Sequence, residues 1–299
     1  MDRFHLMSVF VTVAEEESFA AAARKLGLSA PAVTRAVAAL EERLAIKLLD
    51  RTTRFVRATE AGRRYLDDAR RILQEVDEVE EAAAGVNAAP RGQLAVTAPV
   101  QFGRMFVLPV VVDYLRRYPG AQVSALFLDR VVNMLEEGID VGVRIGELPD
   151  SSLQAIRVAT VRRVLCASPE YLRARGEPRA PADLAGHDIV SALGISPTIE
   201  WKFGHGRTAQ AQRIEPRLAT SSNDSAIEAA ASGLGIARLL SYQIAPHLAA
   251  GKLKIVLSEY EPAQVPVHVL HREGRYASAK VRTFVDLTVA ALRRDDAMY

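Results

Sequence analysis

From Tyr65 onward the chain carries apolar residues spaced alternately by four and three: Tyr65, Ala69, Ile72, Val76, Val79, Ala83 and Val86. That spacing is a coiled-coil seam held over about three heptads. The other faces are acidic, with Asp67, Asp68, Glu75, Asp77, Glu78, Glu80 and Glu81. A narrow seam with charged flanks predicts a long solvated helix that packs on a single partner. Two partners satisfy the pattern: the same helix of a second subunit, or the chain's own C-terminal part. Such a helix divides the 299 residues into a short head and a longer body, and a chain of this length is expected to hold two or more domains.

Charge follows the same division. Met1 to Leu66 holds 11 Lys/Arg against 8 Asp/Glu, whereas Asp67 to Ala88 holds 2 against 7. The net charge of +2 conceals this asymmetry between a mildly basic head and an acidic helix.

Within the head, Leu6, Val9, Phe10 and Val13 recur at helical spacing. Ser18 is placed to cap a second helix, Phe19 to Leu26, whose alanines 20–23 permit close helix approach and which Gly27 stops. Ser29 caps a third helix with Pro31 in its first turn. Val33, Val37, Leu40 and Leu44 form its buried stripe, leaving Ser29, Ala30, Pro31, Thr34, Arg35 and Ala38 outward. Two helices about a tight glycine turn, the second small and polar over its first two turns, describe a helix-turn-helix. Small side chains let such a helix enter a major groove, where Thr34 and Arg35 reach base edges or phosphates. A helical hairpin inside a core is the weaker alternative for the segment alone. The residues that follow favour the first reading. Lys47, Arg51, Arg54, Arg57, Arg63 and Arg64 surround a β-prone stretch at Phe55 and Val56, the composition of a wing that sets cations beside phosphates.

These residues resemble the LysR-type transcriptional regulators. The matching stretches are Phe10 to Val13, Ser18 to Ala23, Leu28 to Arg35, Leu40 to Leu44, Asp50 to Thr52 and Thr59 to Gly62, in order and spacing. The resemblance implies a mixed fold: an N-terminal all-α winged helix-turn-helix, a dimerising linker helix, and an α/β effector-binding domain of two Rossmann-like sub-domains like those of periplasmic binding proteins. It implies domains at residues 1–62, 63–89 and 90–299, the last with sub-domain I at 90–161 and 267–299 and sub-domain II at 162–266. The implied partners are double-stranded DNA with a two-fold operator, a small-molecule effector, further copies of the chain as a dimer or tetramer, and RNA polymerase if the protein activates. Three residues depart from the family pattern. Ala30 stands where glutamine is common, which removes a base contact. Ala45 replaces a common glycine and Leu49 a common phenylalanine, both read as packing changes.

Past the break at Pro90-Arg91-Gly92, short apolar strands alternate with helices, the signature of α/β layers. Strands are expected at 93–97, 123–128, 141–145, 164–167, 234–239, 253–256 and 267–270. Helices are expected at 105–118, 131–137, 224–231, 242–249 and 280–293. The resemblance places the crossings between sub-domains near Ala159 to Arg163 and Pro262 to Val267. Pockets in such folds lie where strand ends meet helix N-termini. Pro99, Val100, Gln101 and Phe102 follow the first strand, and Ser221, Ser222 and Asn223 precede a later helix. With Asp129, Arg144 and Gly146 at other strand ends, they frame a small carboxylate or aromatic metabolite between two helix N-termini. Ser222 and Asn223 also suit a plain capping role. Trp201 and Phe203 alternate on a strand and suit core packing.

An enzyme would need chemistry the sequence does not supply. Gly233-Leu-Gly235 lacks the third glycine of a dinucleotide fingerprint, and there is no phosphate loop or nucleophile elbow. His268 and His271 fall on opposite faces of a strand, which defeats chelation. Cys166, the only cysteine, lies in an apolar run and reads as packing. No cofactor, metal or catalytic residue is expected. No leader pattern is present, and no apolar run approaches the roughly 20 residues of a membrane span, so a cytoplasmic protein without membrane contact is expected. One further alternative keeps a small-molecule-binding body and makes the head a protein-docking module.

Overall fold

The computed structural model describes residues 2–51, 56–83, 89–148, 153–192, 200–204, 206, 209–272 and 277–295, with the side chains of 51, 74–75 and 77–83 left aside. The chain forms two compact units, Met1–Ala88 and Ala89–Tyr299.

The first unit runs α1 (Arg3–Glu16), α2 (Phe19–Leu26), α3 (Ala30–Leu44), β1 (Leu49–Arg51), β2 (Val56–Ala58) and α4 (Glu60–Ala83). The helix boundaries follow from local chemistry. Ser18 Oγ accepts from the Ala21 N–H at 3.2 Å and Ser29 Oγ from the Ala32 N–H at 3.4 Å, each supplying an N-cap. Gly27 ends α2 at φ +64°, a left-handed conformation that glycine adopts without steric cost. Leu6, Val9, Phe10 and Val13 of α1 close on Ala22 and Ala23 of α2 and on Val33, Val37 and Leu40 of α3. Each large side chain so buried contributes about 1.5–3 kcal/mol.

Leu44 does not complete the stripe. It is 39% exposed and lines an open groove of about 550 Å³ with Ile46, Leu48, Ala61 and Tyr65. The last turn of α3 faces the first turns of α4 across this groove without being covered by them. The seam also divides between two environments. Ala69 is buried in the head's own core and Tyr65 meets Phe10 edge-on at 5.5 Å, while Ile72 stays exposed.

Two contacts set the wing. The buried Glu41 carboxylate accepts from the N–H groups of Leu48 at 2.9 Å and Leu49 at 3.1 Å, with Lys47 Nζ at 3.2 Å. Burial works to raise its pKa, but the two backbone donors and Lys47 outweigh that and hold it below the usual carboxylate value. Thr59 Oγ1 donates to the Lys47 carbonyl at 2.9 Å and accepts from the Gly62 N–H at 2.9 Å, capping α4. A side chain at Gly62 would strike the Leu48 carbonyl oxygen, so glycine is what lets α4 close on the wing.

The second unit holds two five-stranded sheets. The first has β3 (Gly92–Ala98), β4 (Ala121–Phe127), β5 (Val141–Ile145), β6 (Gln154–Val161) and β14 (Val265–His271), ordered β4-β3-β5-β14-β6. The second has β7 (Arg163–Ala167), β8 (Ile189–Ala192), β11 (Leu218–Thr220), β12 (Ile236–Leu240) and β13 (Lys254–Val256), ordered β11-β8-β12-β7-β13. A separate hairpin, β9 (Glu200–Phe203) with β10 (Gln210–Arg213), packs Trp201 and Phe203 into the second sheet's core. Helices are α5 (Val100–Phe102), which runs through a π-turn at Gly103–Val107 into α6 (Leu108–Arg117), then α7 (Pro169–Arg175), α8 (Asn223–Ala231), α9 (Ser241–Ala249) and α10 (Ala279–Leu292). The chain leaves the first sheet after Val161 and re-enters it at Val265. Arg162 in the first crossing pairs with Glu261 in the second at 3.1 Å.

The sequence expectation of a helix at 131–137 is wrong. The segment is a run of turns in which Asn133 Oδ1 accepts from the Leu135 and Glu136 N–H groups, and Arg130 grips Glu137 at 2.6 Å. An asparagine that bonds its own downstream backbone competes with a helix this short. Helix α7 and strand β6 escape the sequence pattern, the strand because it is a sheet edge with an exposed first half. The buried Cys166 thiol is pushed up to about 12 by desolvation, as suits packing. Among the described residues no helix is long and apolar enough to cross a membrane, and no group of three or more His, Cys, Asp or Glu could hold a metal.

Two predictions follow from the head. Ala45 caps α3 at φ +55°, so the departure from glycine is a backbone matter rather than a packing change. Ala45→Gly is expected to stabilise by about 1 kcal/mol, raising Tm in thermal unfolding; a fall would contradict the strain. Glu41→Ala strands two buried N–H groups and is expected to destabilise by ~1–3 kcal/mol. Because Glu41 is held below its ordinary 4.5 in the fold, its contribution is present above that pH and lost as pH falls. Wild-type Tm should therefore drop more steeply than the variant's on acidification below pH 4.5, and parallel curves would rule out this role.

Candidate functional site

Along α3 the pattern of exposure separates two faces. Val33, Ala36, Val37 and Leu40 are buried, while Ala30, Pro31, Thr34, Arg35 and Ala38 are exposed, next to exposed Ser29 at the cap. Four of these outward residues have side chains no larger than proline's ring over the first turns, so the helix presents its backbone ridge with little in front of it. Thr34 Oγ1 donates back to the Ala30 carbonyl at 3.0 Å, which leaves its lone pairs outward. Arg35 forms no ion pair with a described residue. Ser18 is half-buried and its oxygen is engaged in capping α2.

The wing is a two-stranded antiparallel ribbon with Leu49 opposite Ala58, Asp50 opposite Arg57 and Arg51 opposite Val56. Arg57 is exposed. Arg51 lies on β1 with its side chain outside the described residues, and Arg54 falls outside them altogether.

In the second unit the two helix N-termini singled out in the sequence are adjacent. Arg104, in the π-turn after α5, reaches Asp224 of α8 at 3.6 Å. Pro99 stands at the N-cap of α5 without a side-chain cap. The Val100 N–H donates to Asp129 Oδ1 at 3.0 Å, so the protein's own carboxylate meets this N-terminus. At α8, Ser222 Oγ accepts from the Ser225 N–H at 3.3 Å, which is the capping role, and Asp224 follows in the first turn. Asn223 is half-buried and Ser221 exposed. Both N-termini thus carry negative charge already.

Gln101 is 6% exposed. Its Nε2 donates to the Gln243 carbonyl at 3.5 Å, and its Oε1 has no partner among the described residues. Phe102 is fully buried against Phe106 at 4.8 Å and Tyr242 at 5.3 Å. Arg144 is half-buried and donates from Nη2 to the Val132 carbonyl at 3.1 Å, tying it to the turns at 131–137. Gly146 has φ +132° and donates to the Pro266 carbonyl at 2.9 Å, closing the end of β5. The structure therefore brings Gln101, Phe102 and the two N-termini together and turns Arg144 towards a different segment. The charge of Asp129 and Asp224 at the N-termini was missed in the sequence, although an acid in the first turn of a helix is a recognisable complement to its dipole.

Comparison with known proteins agrees over both units. Residues 4–63 match the model of the bacterial regulatory helix-turn-helix protein, lysR family, and residues 87–293 match that of the LysR substrate binding domain. An HTH-type transcriptional repressor of Pseudomonas aeruginosa is 35% identical over 289 residues, 96% of this chain and 91% of that protein. The HTH-type transcriptional activator TtdR of Escherichia coli is 30% identical over 286 residues, 95% of this chain and 92% of that protein. The solved structure of CrgA, a LysR-type transcriptional regulator from Neisseria meningitidis, matches with a TM-score of 0.62 at 31% identity, covering 96% of this chain and 98% of that one. The chain belongs to the LysR family of DNA-binding transcription regulators, with a helix-turn-helix head and an effector-binding domain.

Proposed function

We propose that this protein binds a two-fold operator sequence-specifically and that a small organic effector, a carboxylate or aromatic metabolite, modulates that binding or the activity of the promoter. The observation that carries the reading is the outward face of α3, where small residues surround Thr34 and Arg35 beside a wing. Residues 1–62 serve as the head, 63–89 as the linker and 90–299 as the effector domain, with sub-domains at 90–161 plus 267–299 and at 162–266. Thr34 and Arg35 read base edges, Ser18, Ser29, Ala30 and Pro31 line the approach, and Arg51, Arg54 and Arg57 meet phosphates on either flank.

A second copy supplies the second head. Support comes from the exposed Ile72 on α4 and from the apolar groove of Leu44, Ile46 and Tyr65 beside it, surfaces that a monomer leaves in water. The relatives include both a repressor and an activator, so the sign of regulation belongs to the promoter, with RNA polymerase as a partner where the protein activates. The effector contacts Gln101, whose Oε1 seeks a donor, in a cleft framed by Pro99, Val100, Phe102, Ser221, Ser222, Asn223, Asp129 and Gly146. Arg144 holds the flanking turns.

Titration of the protein onto its own upstream DNA at two salt concentrations tests the head. Affinity is expected to fall with salt through counterion release. Arg35→Ala is expected to weaken binding by about 5- to 150-fold. A variant that binds like wild type removes α3 as the reading helix, and salt-insensitive binding without sequence discrimination would favour a protein-docking head.

A further inference from the structure

Strands β7 and β12 of the second sheet pair antiparallel, with Arg163 opposite Leu240 and Leu165 opposite Arg238. This register puts Arg163 and Arg238 on the same face as diagonal neighbours, a spacing of about 7–8 Å across the paired strands. Both are half-buried. The Arg238 guanidinium lies over the Trp201 ring at 5.0 Å, and its Nη1 makes only a 3.5 Å contact to the Lys202 carbonyl. No carboxylate among the described residues lies within 4.0 Å of either guanidinium. The stretch 193–199, which leads into the β9 hairpin that covers this face, contains no acidic residue. Two like charges this close in a partly buried place repel each other. Half-buried Arg162 and Asp188, by contrast, are paired, with Glu261 and Arg175 respectively.

We propose that Arg163 and Arg238, with Trp201 beneath, form an oxyanion site, separate from the cleft at Gln101, for the carboxylate of a small organic acid. The proposal rests on the reading that the effector domain takes an organic acid. Guanidinium forks match a carboxylate through paired N–H donors. The surroundings of Leu165, Leu240 and Trp201 suit a carboxylate carried on an apolar body rather than a strongly hydrated phosphate. Burial, and then the charge of Arg163, pull Arg238 down to about 9. Burial lowers Arg163 as well. Guanidinium groups nonetheless keep their proton in proteins, so the face favours an incoming anion. The helix N-termini at α5 and α8 offer no comparable attraction, since Asp129 and Asp224 already face them.

Thermal unfolding of the full chain in sodium succinate, sodium benzoate and sodium phosphate, each against sodium chloride at equal ionic strength, tests the site. At least one carboxylate is expected to raise wild-type Tm by about 2–4 °C. Arg163→Met and Arg238→Met each abolish the shift, and Arg116→Met, on the exposed side of α6, keeps it. In chloride alone, Arg163→Met unfolds at or above the wild-type temperature, because a repelling charge has gone. The proposal is overturned if the shift survives in Arg163→Met, if phosphate alone stabilises, or if Arg163→Met loses several degrees in chloride. It also falls if neither carboxylate stabilises wild type. In that case a metabolite panel that does raise Tm would leave the organic-effector reading standing without this site.

Discussion

The carboxylate of Glu41 ties helix α3 to the wing. It sits in the last turn of α3, 4% exposed, and takes the backbone donors of Leu48 and Leu49 at the start of β1. A ribbon of two three-residue strands has little stability of its own, so its position against the helix comes from contacts at its base. Thr59 and Gly62 supply the other half of that base by bringing the first turn of α4 against Lys47 and Leu48. The proposed base reading by α3 and phosphate contact by the wing would act on one duplex only if the two elements keep a fixed separation. Glu41 and Gly62 provide that rigidity without touching the outward face.

Much of the head is legible in the sequence because its signals are local. Ser18, Gly27, Ser29 and Pro31 each act within three or four residues, and the helices they bound sit where those signals put them. What escapes is non-local or concerns backbone conformation. Glu41 looks like any surface acid until the chain has turned and brought Leu48 beside it. Ala45 reads as a change of bulk, whereas the structure makes it a change of φ. Leu44 fits the helical period of α3 and is still exposed, since periodicity says which face a residue takes and not whether anything covers it.

In the effector half, strand positions follow from apolar runs, while charge relationships do not. Asp129 lies 29 residues from Val100, and only the parallel pairing of β3 with β4 brings its carboxylate to that N–H. Arg163 and Arg238 lie 75 positions apart, and the β7–β12 register alone makes them neighbours. The outcome reverses an electrostatic expectation. The helix N-termini expected to receive an anion are already complemented, and Arg163 and Arg238, with no carboxylate among the described residues within 4.0 Å, lie on a face of the second sheet. Arg144, a candidate ligand residue by its place at a strand end, donates from Nη2 to the Val132 carbonyl in the turns at 131–137.

The claim at the centre of this account is that the outward face of α3 lies in the major groove, once in each of two heads. Methylation protection on the protein's own upstream DNA reports groove occupancy directly, because guanine N7 lies in the major groove and adenine N3 in the minor. The account predicts guanine N7 protection in two patches about 10 base pairs apart or a multiple of that, lost in Arg35→Ala. Protection confined to adenine N3, or a single patch that persists in the variant, would contradict it.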